Sequence, residues 1–170
     1  MSRPCDLDAV EARKLIGNKQ LSPVELTKSC IEQIDKLNSS INAVVAINNE
    51  DVLKQAKKAE DDVMSGSELG LLHGLPVGIK DLNIVKNLRS TSGSKIYEKR
   101  IPENDDTVVE DIRNEGAIIF CKTNTPEFGA GGNTKNLVYG ATSNPFDMTK
   151  TPAGSSGGSA AALACNMMPL

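Results

Sequence analysis

Two short apolar segments with a helix between them constrain the fold of this chain more than any other feature. The first, PVGIK at 76–80, is typical of a buried strand, and the second, AIIFCK at 117–122, predicts an all-apolar strand of the kind that parallel sheets bury on both faces. Between them, DTVVEDIRNEG predicts a compact helix with Thr107 as N-cap and Gly116 at its end. A strand, a helix and a strand in this order indicate a right-handed crossover within an α/β sheet.

The segment before the first of these strands is predicted to be mainly helical. In SPVE, we expect Ser22 as an N-cap, Pro23 as the first helical residue and Glu25 as its partner in a capping box. Apolar residues then recur at helical spacing and form one face, which consists of Leu26, Cys30, Ile31, Ile34 and Leu37. This pattern predicts an amphipathic helix.

A β-branched segment and another helix complete the first part of the chain. INAVVAI at 41–47 predicts a strand or an extended segment, and the following helix is expected to end at Gly66. The sequence changes character at Leu71. We therefore divide the chain into a helical leading segment, 1–70, and the start of an α/β core, 71–170.

Composition limits the class of protein and its partners. The chain has 170 residues, of which 39% are hydrophobic and 24% are charged, as in folded soluble domains. A net charge of −3 and an aromatic content of only 3% argue against nucleic acid as a direct partner. No apolar run approaches the roughly 20 residues that span a bilayer, and the N-terminus lacks the apolar core of a signal peptide. We therefore expect a cytoplasmic protein without a membrane partner.

Cysteine and histidine offer little for metal or acid-base chemistry. The cysteines, which lack CxxC spacing and are expected to be buried thiols, are Cys5, Cys30, Cys121 and Cys165. A single histidine, His73, cannot build a metal site or a serine-histidine triad by itself. Any acid-base chemistry near neutral pH must therefore use another base.

The stretch TPAGSSGGSAAALA, at 151–164, can be interpreted in three ways from its residues alone. A flexible linker is one, although a strong helix former follows directly. A phosphate-binding loop is another, since a glycine-rich turn before a helix presents free N–H groups to an anion. However, the Lys of a Walker A loop is missing, and GAGGNT at 129–134 lacks the final Gly of a dinucleotide fingerprint. In the third interpretation, the loop forms a catalytic site with Lys80.

A lysine at the end of the first strand supports this third interpretation. Burying the ammonium group of Lys80 is costly unless the group is paired or neutral. Catalytic groups commonly lie at strand ends in α/β sheets, and a Ser-Lys system is a known variant of the hydroxyl-nucleophile triad. A surface lysine whose stem lies along the strand end is the alternative.

Three segments carry a resemblance to a known family: GLPVGIKDL at 74–82, KTNTPEFGAGGNTKNLVYGATSNP at 122–145, and the stretch at 151–164. In this order they resemble the amidase signature enzymes, which hydrolyse carboxamides with a Ser-cisSer-Lys triad. The resemblance covers essentially the whole chain. It implies an incomplete domain, roughly the N-terminal third of an amidase, in which a helical leading segment precedes the first strands of a mixed α/β sheet with flanking helices.

The resemblance also assigns roles to individual residues. Lys80 is similar to the catalytic lysine and Ser155 to the serine that follows a cis peptide bond, while Ser156 is expected to hydrogen-bond within the same network. The implied substrate-binding residues are Gly129, Ala130, Gly131, Gly132 and Asn133. To act as a base near neutral pH, Lys80 needs a pKa well below its ordinary value, which burial can supply. Neither a cofactor nor a metal ion is implied.

The family's nucleophile is expected in a later glycine-serine motif, beyond Leu170. We therefore expect the isolated chain to be inactive, with an exposed sheet edge that self-associates or binds a complementing C-terminal chain. The implied substrate is a small carboxamide. Two alternatives stay open: a non-catalytic binding or scaffold module, and, in place of a general amidase, the glutaminase subunit of a tRNA-dependent amidotransferase.

Overall fold

The computed structural model describes residues 3–170, in which helices alternate with short strands. The helices are α1 (Ala9–Gly17), α2 (Pro23–Ile41), α3 (Asn49–Ser65), α4 (Thr107–Asn114) and α5 (Gly157–Ala164). The strands are β1 (Val44–Ile47), β2 (Pro76–Lys80), β3 (Ile118–Thr123), β4 (Lys135–Asn136) and β5 (Gly140–Ala141). Short 3-10 turns lie at Pro4–Asp6, Lys95–Tyr97 and Glu127–Gly129.

The predicted strand, helix and strand are confirmed. β2 has the predicted bounds, α4 follows it, and β3 lies parallel to β2. β1 pairs antiparallel with β3, so β3 is the central strand of a mixed sheet whose edge strands are β1 and β2. Every residue of β3 is buried. The structure is therefore the mixed α/β fold that the sequence predicts, and β4 and β5 form a separate small hairpin.

One extra residue in β3 changes the alternation of its side chains. Val77 of β2 pairs with Ile119, but the next residue, Gly78, pairs with Cys121. Phe120 is therefore an inserted residue of the kind found in β-bulges. Because successive side chains alternate between the faces of a sheet, this insertion reverses which face each later residue of β3 occupies.

The residues just beyond the insertion define two faces at the carboxyl end of the sheet. Lys80 pairs with Thr123, and Ile79 pairs with Lys122. Directly paired residues share a face, and alternation places Asp81 with Ile79. We call the face with Lys80 and Thr123 the front face, and the face with Asp81 and Lys122 the rear face.

Each face of the sheet packs against its own apolar core. The larger core joins α2, α3 and α5 to the sheet, and the predicted apolar stripe of α2 is confirmed because its residues are buried in this core or packed against it. The smaller core joins α4 to the rear face and consists of Val77, Ile79, Val85, Val109, Ala117 and Ile119.

The predicted start of α2 is confirmed except for its capping-box partner, whereas the predicted N-cap of α4 is wrong. Ser22 caps α2 as predicted, and its side chain accepts from two backbone N–H groups of the first turn. Glu25 does not complete a capping box; the carboxylate that meets Ser22 belongs to Glu60, which accepts from the hydroxyl over 2.5 Å. The N-cap of α4 is Asp106 and not Thr107, which is the first helical residue. Asp106 instead accepts through its side chain from the backbone after β2.

The cysteines are free thiols. Cys5, Cys30 and Cys121 are buried, as predicted, and Cys165 is partly buried. Among residues 3–170, no helix combines the length and the apolar character that crossing a bilayer requires.

Candidate active site

Two side chains from distant parts of the sequence meet at the front face. Lys80 lies at the carboxyl end of β2, and its Nζ donates to Oγ of Ser155 over 2.6 Å. The peptide bond between Gly154 and Ser155 is cis. Thr125, just after β3, donates through Oγ1 to the carbonyl oxygen of Ser155 over 3.1 Å. The structure thus places an amine and a hydroxyl in direct contact, with the backbone of the hydroxyl residue held from the neighbouring strand.

The Ser-Gly loop, residues 151–157, is packed tightly against the rest of the chain. In the first turn of α5, Gly158 lies so close to Asn124 that a Cβ at this position would overlap the Asn124 backbone. Oγ1 of Thr134 donates to the carbonyl of Ala153 over 2.9 Å and accepts from the first N–H of α5 over 3.0 Å. These contacts contradict the flexible-linker interpretation, and they fix Ser155 relative to the sheet.

The surroundings of Lys80 favour its neutral form. Desolvation lowers the pKa of Lys80 below its ordinary value, and no charged side chain within residues 3–170 contributes to that shift. The ammonium form donates to Ser155, whereas the neutral amine offers a lone pair that can accept from the Ser155 hydroxyl. The same contact therefore serves both protonation states that a general base must occupy.

Ser156 does not join the network that was predicted for it. Its side chain is exposed and makes no hydrogen bond within the described part of the chain. Ser156 is instead the N-cap residue of α5, and its carbonyl accepts from the backbone N–H of Ala160 over 3.0 Å. The expected hydrogen bond with Lys80 or Ser155 is thus absent.

The predicted substrate-binding residues form a glycine-rich loop, 129–133, that runs beside the Ser-Gly loop. A Cβ at Gly154 would lie 3.0 Å from the carbonyl carbon of Gly132 and 3.1 Å from the backbone nitrogen of Asn133. A Cβ at Gly131 or Gly132 would meet nothing within 4 Å. The loop therefore contacts the residue just before Ser155 and leaves open space on its outer side.

Sequence reasoning missed a buried ion pair on the rear face. The side chains of Lys122 and Asp81 are fully buried, with Nζ and Oδ1 3.5 Å apart. Lys122 also donates to the carbonyl of Asn83 and, over 3.2 Å, to Oγ of Ser90. Burial lowers the pKa of Lys122 to about 8, although Asp81 opposes this shift. The prediction of an all-apolar strand overlooked Lys122, and a charge inside a buried strand is the signal that could have revealed the pair.

A pair of hydroxyl groups on the front face was also missed. Thr123, the partner of Lys80 in the strand pairing, lies 2.7 Å through its Oγ1 from Oγ of Ser159. Thr123 is fully buried and Ser159 is partly buried. Ser159 is therefore tied to the sheet, in the first turn of α5.

Comparison with known proteins identifies the family to which the chain belongs. A model of the Amidase family matches residues 25–170. The chain belongs to the amidase family. It is 41% identical over 162 residues to the A subunit of glutamyl-tRNA(Gln) amidotransferase from Clostridium botulinum (strain Alaska E43 / Type E3), covering 95% of this chain and 33% of the relative. The corresponding protein of Trichodesmium erythraeum (strain IMS101) is 40% identical, over 86% of this chain and 30% of the relative.

Solved amidase structures share the fold. The chain superposes on fatty acid amide hydrolase with a TM-score of 0.91 and 25% identity, over 98% of this chain and 29% of that one. For the peptide amidase of Stenotrophomonas maltophilia the TM-score is 0.87 and the identity 27%, over 96% of this chain and 35% of that one. The chain thus spans about a third of the length of the curated relatives and of the solved structures that it matches.

Proposed function

We propose that this chain supplies the base and the proton relay of an amide hydrolase that uses a Ser-cisSer-Lys triad. The observation that carries the proposal is the 2.6 Å contact between Lys80 Nζ and Ser155 Oγ, at a strand end and beside a glycine-rich loop. Membership of the amidase family supports the same reaction class. In this assignment Lys80 is the base, Ser155 is the relay, and residues 129–133 line the substrate pocket.

The proposed reaction moves one proton along a short path. Neutral Lys80 takes the proton of Ser155 while Ser155 takes the proton of a nucleophilic serine, whose oxygen forms a bond to the amide carbon. The proton then returns through Ser155 to the amide nitrogen as the C–N bond breaks. Water attacks the resulting acyl ester by the same route and releases the acid. In each step a proton moves between Lys80 and Ser155, first towards the lysine and then away from it.

The nucleophile is expected from a segment that follows Leu170 in sequence. Ser159 is a poor substitute, since its hydroxyl is already paired with Thr123 on the sheet. We therefore predict that the purified 170-residue chain does not hydrolyse simple amides. Turnover by this chain that survives Lys80→Ala but not Ser159→Ala would contradict the assignment of roles.

The proposal is tested on the protein that the gene encodes in full. Release of ammonia from simple carboxamides is measured for the unmodified protein and for Lys80→Met and Ser155→Ala. Lys36→Met and Ser40→Ala, which change exposed residues of α2, are the matched controls. We expect both site variants to lose activity and both controls to keep it. Site variants as active as the controls would refute the proposal.

The choice of amide substrate has two candidates. A general carboxamide is one. The other is the amide of glutamine, because the curated relatives described above are named as the A subunit of glutamyl-tRNA(Gln) amidotransferase. Ammonia release from free glutamine, compared with release from a simple aliphatic amide, separates the two. A strong preference for glutamine would place the protein with these relatives as a glutaminase subunit.

The non-catalytic alternative predicts a different outcome. A scaffold module would associate through β1 or β2, the edge strands of the sheet, without gaining activity. Size-exclusion chromatography of the 170-residue chain, alone and mixed with the rest of an amidase domain, tests this. Activity restored in the mixture supports the enzyme, whereas a stable complex that never hydrolyses amides supports the scaffold.

A further inference from the structure

Asp81 connects the end of β2 to the loop that follows it. Its carboxylate accepts from the backbone N–H of Thr91 over 3.0 Å, from Oγ1 of Thr91 over 2.6 Å and from the N–H of Gly93 over 3.4 Å. Its own N–H donates to the carbonyl of Thr123, which extends the pairing of β2 with β3. Asp81 thus fixes the backbone immediately next to Lys80.

The loop that follows β2 also contacts Glu127 and Phe128, which precede the glycine-rich loop at 129–133. Ser94 donates through Oγ to the carboxylate of Glu127 over 2.7 Å, and the N–H of Phe128 donates to the carbonyl of Ser92 over 2.8 Å. The rings of Tyr97 and Phe128 meet edge to face with centroids 6.2 Å apart. A continuous set of contacts therefore runs from Asp81 to the residue that precedes the predicted substrate-binding residues.

Several charged groups near the Asp81–Lys122 ion pair act on the pKa of Lys122. Arg100 acts to lower the pKa of Lys122, while Asp106 acts with Asp81 to raise it. The pKa of the Tyr139 hydroxyl is raised, mainly by desolvation and also by the negative charge of Asp81. Asp81 is the only one of these groups that forms an ion pair with Lys122 among the described residues. Removal of Lys122 would leave the buried carboxylate with neutral donors only.

We propose that Asp81 and Lys122 are positioning residues for Lys80: Asp81 fixes the strand end and the loop behind it, and Lys122 cancels the negative charge of Asp81. The inference rests on the proposed role of Lys80 as the base. A base must lose its proton readily, and a carboxylate on the neighbouring residue opposes that loss. Below about pH 8, where Lys122 keeps its proton, the pair has no net charge, so the carboxylate holds the backbone without stabilising the ammonium form of Lys80.

The test follows the titration of Lys80 by carbon-13 NMR in the protein that its gene encodes in full, with lysine labelled at Cε. The Lys80 signal is identified by its loss in Lys80→Arg. In Lys122→Met the carboxylate of Asp81 no longer faces a cation, and we expect the Lys80 midpoint to rise by about one pH unit. In the double variant Asp81→Asn/Lys122→Met both charges are gone, and the midpoint is expected to return close to the original value. Lys36→Met is the control for loss of a distant cation.

The possible outcomes separate this inference from the proposed function. An unchanged midpoint in folded Lys122→Met, or a rise that persists in the double variant, would overturn the inference. Should Lys122→Met fail to fold, Lys122→Gln replaces it as the variant that removes the cation: the same rise of the Lys80 midpoint is expected, and no change would contradict the inference equally. An inactive protein whose Lys80 responds as expected would refute the proposed function alone, because the titration needs no turnover.

Discussion

Lys80 and Lys122 lie on adjacent strands at the same end of the sheet, yet their surroundings differ. Lys80 is partly exposed on the front face, contacts a serine hydroxyl and has no counter-ion within the described residues. Lys122 is fully buried on the rear face and is enclosed by Asp81, Asn83 and Ser90. Burial lowers the pKa of both amines, and for Lys122 to about 8.

A lowered pKa therefore does not by itself identify a catalytic base. Lys122 combines a lowered pKa with complete enclosure, so its amine has no path to a substrate. Lys80 combines a lowered pKa with partial exposure and a hydroxyl that can carry a proton onward. Access and a relay partner are therefore the features on which the proposed catalytic role of Lys80 rests, whereas burial with a counter-ion favours a structural role for Lys122.

Substitution of Lys80 is expected to affect activity far more than stability. In the protein that its gene encodes in full, Lys80→Met is expected to lower kcat/KM for amide hydrolysis by about a thousand-fold or more, since it removes the proposed general base. Its free energy of unfolding should change by less than about 1 kcal/mol, because Lys80 forms no ion pair with any residue in the range 3–170. Steady-state kinetics and urea unfolding of the same preparation check both parts. A large loss of stability would show that the activity result has a structural cause.

Substitution of Lys122 is expected to lower the stability of the folded protein. Lys122→Met leaves the buried carboxylate of Asp81 without its cation, which is expected to cost about 3–5 kcal/mol. The double variant Asp81→Asn/Lys122→Met should recover a large part of that loss because no buried charge remains unpaired. Urea unfolding of the two variants measures the difference. Equal stability of the single and double variants would mean that the ion pair is not the source of the cost.

The pH dependence of the free energy of unfolding tests the lowered pKa of Lys122. Because its pKa is lowered to about 8 in the folded protein from an ordinary value of 10.5, the unfolded state holds more protons between these two values. The free energy of unfolding contributed by this group therefore rises as pH increases from about 8 to 10.5. We expect the stability of the unmodified protein to rise over this window relative to the double variant Asp81→Asn/Lys122→Met. A flat or falling difference would contradict the lowered pKa.

The smallest expected effect concerns two glycines near the front face. Gly158→Ala places a methyl group against the backbone of Asn124 and is expected to destabilise the protein by about 1–3 kcal/mol and to lower activity. Gly132→Ala points into open space and should cost less than about 1 kcal/mol. Thermal unfolding of both variants checks the contrast. Equal effects would mean that the tight packing under the Ser-Gly loop does not hold.

The fold was largely predictable because strong local signals agree with the tertiary structure. The bounds of β2, the apolar face of α2 and the stop of α3 at Gly66 follow from spacing and from residues that end helices. The start of α4 was misplaced by one residue, since Asp106 and Thr107 are both good N-caps and a tertiary contact of Asp106 decides between them. Helix caps of similar strength cannot be ranked without that contact.

The site was only partly predictable. Lys80 stands out as a lysine at a strand end, whereas Ser155 is singled out among the serines of its loop only by the resemblance to the amidase signature enzymes. The pairing of Asp81 with Lys122 depends on the residue inserted at Phe120, which turns Lys122 to the rear face. The exposure of Ser156 depends on how the Ser-Gly loop enters α5. Neither feature follows from spacing in the sequence.

The decisive measurement for the proposed role of Lys80 is its titration in the unmodified protein. Carbon-13 NMR of Cε-labelled lysine compares Lys80 with the exposed lysines of the same sample, among them Lys36. We predict that Lys80 loses its proton at a clearly lower pH than these lysines. A Lys80 signal that titrates together with the exposed lysines would contradict the account.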